Sequence, residues 1–597
     1  MIKLSKILFS FFNNHERRFF CGILLLMIST AIVELLGIGS LFPYIKILGD
    51  QHIIHQNAAL KFSYQFFHFR NDNHYLIFVG TIIFAMILLK GWMSSLNNYY
   101  QSKFSYGLNN RLSRFCLKSF LSMPYSDYIN INSAVLSKHL LVDVAGVSSI
   151  ISSVLTMLTD IIVAAALIGL MIWADPMLVL FVVTILCGFL WLTMHGTKDR
   201  IRNLARSNEA CNRQVYKTAA EALLGLKDIK IYNVEAYFTN RFLNWQRKIS
   251  DQMIEFNVIS NVPGIAMNVM GFGVLLVILL YLIITKGNLA AILPIIGLIA
   301  VCVQRLLPAA NRISSSIGLI RRYKPVVFIV RNAIDALNVV NNKMHTVSNT
   351  LPTLKFTTNL ALKNIYYTYP NTSRYALNDV SLSIKKNTSL GIVGESGAGK
   401  STLVDVLLGL LPIQQGSIWC DAIDITQCEH AALSRLVGYV PQQTFLIDGT
   451  IRDNIAFGIA EDKIDITLLD RAIRVAQLYK LINELPDGIH TQIGEHGVKL
   501  SGGQRQRLGI ARALYHDPEI LIMDEATNAL DSATEKEFNE ALQNLMKEKT
   551  VIIIAHRLSS IQMCDEIIQL EQGQIVARGS YEHLLQTSEK FRYVYNI

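Results

Sequence analysis

The order of apolar and polar residues divides the chain near residue 325. Ahead of that point lie six apolar runs, near 19–47, 75–98, 145–173, 177–196, 258–285 and 290–317. Each is long enough to cross about 30 Å of hydrocarbon at 1.5 Å per helical residue. The segments 99–144 and 197–257 are polar, helix-compatible and nearly free of proline, which predicts amphipathic helices that continue the spans. Hydropathy falls over 326–355, where Asn341, Asn342, Ser348, Asn349 and Pro352 mark a linker. From 356 to 597 short β-branched runs such as Ser389–Val393, Ile520–Met523 and Thr550–Ile554 alternate with helical patterns. Such alternation predicts an α/β unit on a largely parallel sheet. The expected architecture is therefore multi-domain: an all-α six-helix membrane domain over 1–325, a linker over 326–355, and an α/β domain over 356–597.

Charge orients the spans. The N-terminus, the segment holding Lys103, Arg111, Arg114, Lys118 and Lys138, and the stretch from Lys198 to Lys248 are rich in Lys and Arg, whereas the intervening links are poor. Both termini are thus expected in the cytoplasm of a multi-pass cell-membrane protein, the inner membrane if the source is Gram-negative. The formal net charge of +10 follows from this asymmetry and calls for no nucleic-acid partner. A 51% apolar composition also argues against two ordinary soluble domains. The first apolar run follows Lys3, Lys6, Arg17 and Arg18 in the manner of a signal peptide, but it exceeds an h-region and lacks a small-residue cleavage site, so it reads as a retained span. The eight cysteines show no C-x-x-C spacing and read as reduced thiols.

Gly394-Glu395-Ser396-Gly397-Ala398-Gly399-Lys400-Ser401 follows one predicted strand and precedes a predicted helix that begins at Thr402. Its glycines let backbone N–H groups close around phosphate oxygens at a helix N-terminus, Lys400 offsets β/γ charge, and Ser401 can ligate Mg²⁺. This is a P-loop, and it calls for ATP and Mg²⁺. Ile520–Met523 is a buried strand ending in Asp524 and Glu525. Asp524 suits the Mg²⁺ shell, and Glu525 is placed to polarise an attacking water.

Between these two motifs lies Leu500-Ser501-Gly502-Gly503-Gln504, which resembles the signature of ATP-binding cassette (ABC) proteins. The resemblance implies that Ser501, Gly502, Gly503 and Gln504 serve the nucleotide held by a partner subunit. It also implies that Tyr369 stacks on adenine, with Tyr366 and Tyr367 close by, and that Gln442 touches Mg²⁺ and the attacking water. His556 is then the switch histidine at the γ-phosphate, Gly494-Glu495-His496-Gly497 the cross-talk loop, and Asn528-Ala529-Leu530-Asp531 the dimer-contact loop, with Asn528 where Ser is usual. The order of six spans and one cassette is similar to exporter half-transporters, so a second copy is the expected partner. The resemblance further marks Tyr125–Ser137 and Leu224–Glu235 as coupling segments.

Lys90, Arg305 and Arg312 fall within or at the ends of spans, with Glu34 and Asp160 as counter-charges. They either line a substrate pathway or form structural ion pairs. Glu34-Leu35-Leu36-Gly37 with Pro43-Tyr44, and Arg305-Leu306-Leu307-Pro308-Ala309-Ala310-Asn311-Arg312, are similar to bacterial lipid-linked oligosaccharide flippases. The expected function is an ATP-driven transporter that exports or flips an amphipathic substrate, a lipid-linked saccharide foremost. A lipid A or multidrug exporter is the alternative within the class, and an ATP-gated channel or regulator the alternative outside it. The external segment Ala58–Phe69 carries six large apolar residues beside Lys61 and Arg70, which fits either a helix in the outer headgroup layer or a loop packed on the spans.

Overall fold

The structure is a computed structural model that describes residues 2–49, 53–129, 131–174, 176–286, 289–347, 354–370, 372–426, 433, 435–526, 532–555 and 558–595. The chain forms two compact units, Met1–Met123 with Ile131–Val339 and Pro124–Asn130 with Val340–Ile597.

Six long helices build the first unit among the described residues: Asn14–Gly39, Asp72–Leu121, Val144–Ala174, Pro176–Leu224, Glu235–Lys286 and Leu289–Val347. A helix satisfies its backbone hydrogen bonds internally, so it is the natural form for apolar runs placed in lipid. Among the described residues, four helical stretches, Asn14–Ile45, Asp72–Leu121, Ser133–Ile172 and Glu235–Leu280, are long and apolar enough to cross a membrane. The expected runs 177–196 and 290–317 fall within the fourth and sixth long helices. The second helix alone has 50 residues, about 75 Å at 1.5 Å each, far more than a bilayer needs. Its polar half continues the apolar half without a break to Leu121, and the short helices Tyr125–Tyr128 and Ser133–Lys138 follow after Pro124. The second polar segment turns at the short helix Leu226–Tyr232.

Two of the three apolar clusters among the described residues of this unit lie between its long helices. One gathers Phe11, Phe12, Phe104, Leu108, Val147 and Val327; the other gathers Ile38, Leu167, Leu186, Val274, Val303 and Leu307. Val326, Val327 and Val330 are buried in the first cluster, and the sixth helix runs to Val347. The expected linker over 326–355 is thereby corrected: its first part is packed helix, because three valines at helical spacing bury one face. A buried ion cluster joins the turns ahead of the third long helix to the fourth, where Lys138, only 1% exposed, reaches Asp143 at 3.0 Å and also contacts Glu209.

The segment after the first long helix forms the helix Ala58–Phe66. Tyr64 and Phe69 pack on Tyr75 at ring separations of 5.4 and 5.5 Å, while Phe62, Phe66 and Phe67 remain exposed. Part of the segment is thus packed on the second long helix, as the loop reading expects.

The second unit holds two sheets. One has the order β2-β1-β4-β5, made of Asn359–Tyr367 (β1), Leu377–Lys385 (β2), Gln415–Cys420 (β4) and Ile423–Asp424 (β5), all antiparallel. The other has the order β10-β9-β3-β8-β7-β6, made of Ser389–Val393 (β3), Val437–Val440 (β6), Ile520–Asp524 (β7), Thr550–Ile554 (β8), Glu566–Glu571 (β9) and Gln574–Gly579 (β10). Every pairing in the second sheet is parallel except β9 with β10. All five residues of β3 and of β8 are buried, as expected of parallel strands covered on both faces. The parallel sheet matches the pattern reading, and the antiparallel sheet is an addition to it.

Candidate functional site

Adjacent parallel strands β3, β8 and β7 end side by side, and the loops leaving their C-terminal ends form a cavity of about 420 Å³. Ligands of open α/β sheets collect at that edge. Tyr369, Ser396, Gly397, Gly399, Lys400, Ser401, Thr402, Gln442, Asp524 and Glu525 line it, together with Ala376 and Ile554.

The loop after β3 can turn this tightly only with glycine. Gly394 has φ +154 and a Cβ there would lie 2.3 Å from the carbonyl oxygen of Leu570; Gly399, at φ +103, leaves 2.6 Å to that of Ala376. Helix Lys400–Leu407 then opens without a side-chain cap, so its first N–H groups face the cavity as an anion cradle. Lys400 Nζ donates to the carbonyls of Gly394 and Glu395 at 2.7 and 2.9 Å. Burial pushes its ammonium below the usual lysine range, against the pull of Glu525 and Asp524.

Of the three tyrosines, Tyr369 borders the cavity, with its hydroxyl 3.1 Å from that of Thr402. Tyr367 is a core residue and Tyr366 packs on Tyr375. Gln442 Nε2 donates to Glu525 Oε2 at 2.8 Å, which brings together two residues 83 positions apart. Asp405, which the motif reading missed, lies on the helix after the loop; burial first and the charge of Asp524 second push its carboxyl up to about 6.

Ser501 caps the helix Gly502–Tyr515 through a reciprocal box with Gln504: Ser501 N–H donates to Gln504 Oε1 at 2.8 Å, and Gln504 N–H donates to Ser501 Oγ at 3.2 Å. These two residues, with Gly502 and Gly503, do not border the cavity of their own chain. The helix reaches the site differently, since Gln506 donates from Nε2 to the Glu525 carbonyl at 2.9 Å. Gln506 is 5% exposed and falls just past the motif, a buried amide whose position two residues on was the available signal. His556 and Asn528–Asp531 lie outside the described residues. Ser401, Gln442 and Asp524 present a hydroxyl, an amide and a carboxylate to one cavity, a hard-oxygen set that suits Mg²⁺ shared with phosphates; among the described residues no cluster of three or more His, Cys, Asp or Glu suggests another metal.

The first unit has its own cavity, of about 820 Å³, between the first, second, third and sixth long helices. Glu34, Lys90, Asp160, Arg305 and Arg312 all line it, among hydroxyls and amides including Thr30, Asn97, Gln101 and Thr159. Lys90 pairs with Glu34 at 2.9 Å, and Arg312 grips Asp160 through Nε at 3.0 Å and Nη2 at 2.6 Å. Arg305 makes no ion pair among the described residues. Three cations against two carboxylates leave the cavity with one positive charge in surplus.

Comparison with known proteins agrees with both units. The family profile of the ABC transporter transmembrane region matches residues 19–305, and that of the ABC transporter cassette matches residues 377–528. The chain is 30% identical over 511 residues to the ATP-dependent lipid A-core flippase of Cupriavidus metallidurans, covering 85% of this chain and 84% of that protein. It is 29% identical to the flippase of the same description from Legionella pneumophila, covering 87% of each. It is likewise 29% identical to the heterocyst differentiation ATP-binding protein HepA of a Nostoc species, over 85% of this chain and 82% of that one. A bacterial Atm1-family ABC exporter solved with ATP bound has the same fold, with a TM-score of 0.79, 22% identity, and coverage of 97% and 99%. A P-loop cavity in one unit and a polar-lined cavity in the other, with matches along most of the chain's length, make this chain a member of the ABC transporter family, a multi-pass membrane ATPase that couples hydrolysis to transport.

Proposed function

We propose that the chain works as a homodimer that flips a lipid-linked saccharide carrying an anionic linkage. The observation that carries this reading is the polar cavity in which Arg305 is left without a counter-charge. Arg305 is exposed to the cavity, so its unanswered charge is open to an anion that enters there. The paired Lys90 and Arg312 flank it, so a phosphate at Arg305 would meet donors already held in place by Glu34 and Asp160. The ion-pair reading and the pathway reading are thus compatible: two cations are paired and the third faces cargo.

In this reading all six long helices cross the membrane and both termini are cytoplasmic. Tyr369 stacks on adenine, and the loop from Gly394 to Thr402, Ala398 included, wraps the phosphates. Lys400 exchanges its carbonyl partners for phosphate oxygens. Ser401, Gln442 and Asp524 hold Mg²⁺, which supplies charge neutralisation on the phosphates when bound. Glu525, oriented by Gln442, accepts the proton of the attacking water, and His556 contacts the γ-phosphate. Ser501 through Gln504 close the site of the other subunit, which is supported by their absence from the cavity of their own chain. Coupling segments at Tyr125–Ser137 and Leu224–Glu235 carry the motion; exposed Leu224, Ile231 and Tyr232 in the latter support a docking role.

The names of the relatives support a second reading, with lipid A-core as cargo. The test uses proteoliposomes and three cargos. Arg305→Gln is expected to cut flipping of a prenyl diphosphate-linked saccharide by about ten- to a hundredfold, the worth of a charged hydrogen bond. Basal ATP hydrolysis and handling of a neutral hydrophobic dye should stay near wild type. Equal loss for charged and neutral cargo would make Arg305 structural. Preference for lipid A-core over the prenyl-linked saccharide in the wild type would favour the second reading.

A further inference from the structure

A separate pocket of about 510 Å³ opens in the first unit between the fourth and sixth long helices. It straddles the ends of two apolar runs, taking residues from Trp191 to Arg202 on one helix and from Ile317 to Lys324 on the other. Its chemistry changes along that axis. Lys198, Arg202, Arg321 and Lys324 supply four cations, and no carboxylate lines it. Arg202 is partly answered by Asp199 at 3.2 Å, whereas Lys198, Arg321 and Lys324 form no ion pair among the described residues. Arg321 is half-buried and held by a 3.2 Å bond from Nη1 to the Met194 carbonyl, which fixes its position without neutralising it. Ile317, Ile320 and the exposed Trp191, stacked on His195 at 5.3 Å, form the apolar part.

We propose that this pocket binds the phosphate headgroup of an anionic lipid from the membrane around the protein. Three uncompensated cations beside one another repel, and a phosphodiester is the anion that a bilayer offers at the depth where an apolar helix turns polar. The apolar part argues for a lipid over free phosphate, because it gives the first carbons of an acyl chain a place to pack, and Trp is suited to the same interface. The site is distinct from the cavity around Arg305, which is lined by the first, second, third and sixth helices. It rests on the reading of 177–196 and 290–317 as spans, but not on the identity of the cargo.

Full-length protein in detergent, titrated with dioleoyl phosphatidylglycerol or dioleoyl phosphatidylcholine and followed by native mass spectrometry, tests it. The wild type is expected to take its first phosphatidylglycerol at least about tenfold more tightly than phosphatidylcholine. Lys198→Gln combined with Lys324→Gln should weaken phosphatidylglycerol by about thirtyfold, from roughly fivefold per cation near a charged headgroup, and leave phosphatidylcholine unchanged. Ile317→Trp, which fills the apolar end and keeps every charge, should weaken the same adduct. Unchanged phosphatidylglycerol affinity in both variants overturns the site, and if the lysine pair variant does not fold, unchanged affinity in Ile317→Trp alone does so. Inorganic phosphate that displaces phosphatidylglycerol at equal concentration would make it a bare anion site and overturn the lipid assignment. Failure of the span reading would show elsewhere, as labelling of Cys187 in intact membranes by a membrane-impermeant maleimide.

Discussion

Glu525 follows β7 with φ +49, a left-handed conformation that costs a non-glycine residue about 1–3 kcal/mol. Three contacts hold it there: its N–H donates to the Ile554 carbonyl at 2.9 Å, its carbonyl accepts from Gln506, and its carboxylate accepts from Gln442. A backbone so constrained aims the carboxylate whatever the side chain's charge. Glu525→Gln should therefore keep ATP binding while steady-state hydrolysis falls by about a hundredfold or more, the usual worth of a general base; phosphate release beside equilibrium nucleotide binding measures both. Hydrolysis near the wild-type rate would remove Glu525 from the mechanism. Asp421 offers a pH test. Desolvation pushes its carboxyl up, but hydrogen bonds from Thr357, Thr358 and Asn359 outweigh this and leave it well below the usual range. A depressed folded value means stability that is fully present above the ordinary carboxylate range and is lost progressively as pH falls from there through the depressed folded value. Asp421→Ala should thus lower the cassette's melting temperature at pH 7, with the deficit shrinking below about pH 4; a deficit independent of pH would assign the effect to packing. At this scale the P-loop residues were legible because they act as neighbours in sequence. Gln506 and Asp405 were not, since what each touches comes from a distant strand.

Helix Gly502–Tyr515 lies against β6 so closely that a Cβ at Gly438 would stand 2.7 Å from the carbonyl oxygen of Ala513 and from Pro518 Cγ. Backbone on the far side cannot rotate away. Gly438→Ala should cost about 1–3 kcal/mol and lower the cassette's melting temperature by roughly 2–10 °C, read by calorimetry. No change in melting would mean that helix and strand separate more readily than their packing suggests. The strands β3, β7 and β8 announced themselves as unbroken apolar runs because both of their faces are buried. The β1, β2, β4 and β5 sheet did not, since it alternates buried and exposed positions and is stitched across long insertions. The same lack of a local signal concealed the continuation of the sixth long helix beyond Lys324, where polar asparagines outweighed the periodic Val326, Val327 and Val330.

On the scale of the molecule, six long helices followed by an α/β unit were legible from the order of apolar runs and short β-branched strands, because long apolar segments and buried parallel strands leave distinct patterns. The pairing of Lys90 with Glu34 and of Arg312 with Asp160 required the helices to be set side by side. Two chains are needed to test the shared nucleotide sites. A mixed dimer of one Lys400→Ala chain and one Ser501→Arg chain should trap one nucleotide, since both defects then fall on one site and leave the other whole, whereas either variant paired with itself should trap none. Zero trapping in the mixed dimer would mean that each chain closes its own site. The 2.9 Å bond from Gln506 to the Glu525 carbonyl gains meaning in that arrangement. Ser501 heads the same helix, so in the proposed dimer a rod reaching toward the neighbour's γ-phosphate would be fastened at its second turn to the base of its own pocket. Occupancy on one side of that proposed dimer would adjust the aim of the water-activating group on the other, an escapement in which each cassette releases its partner's stroke.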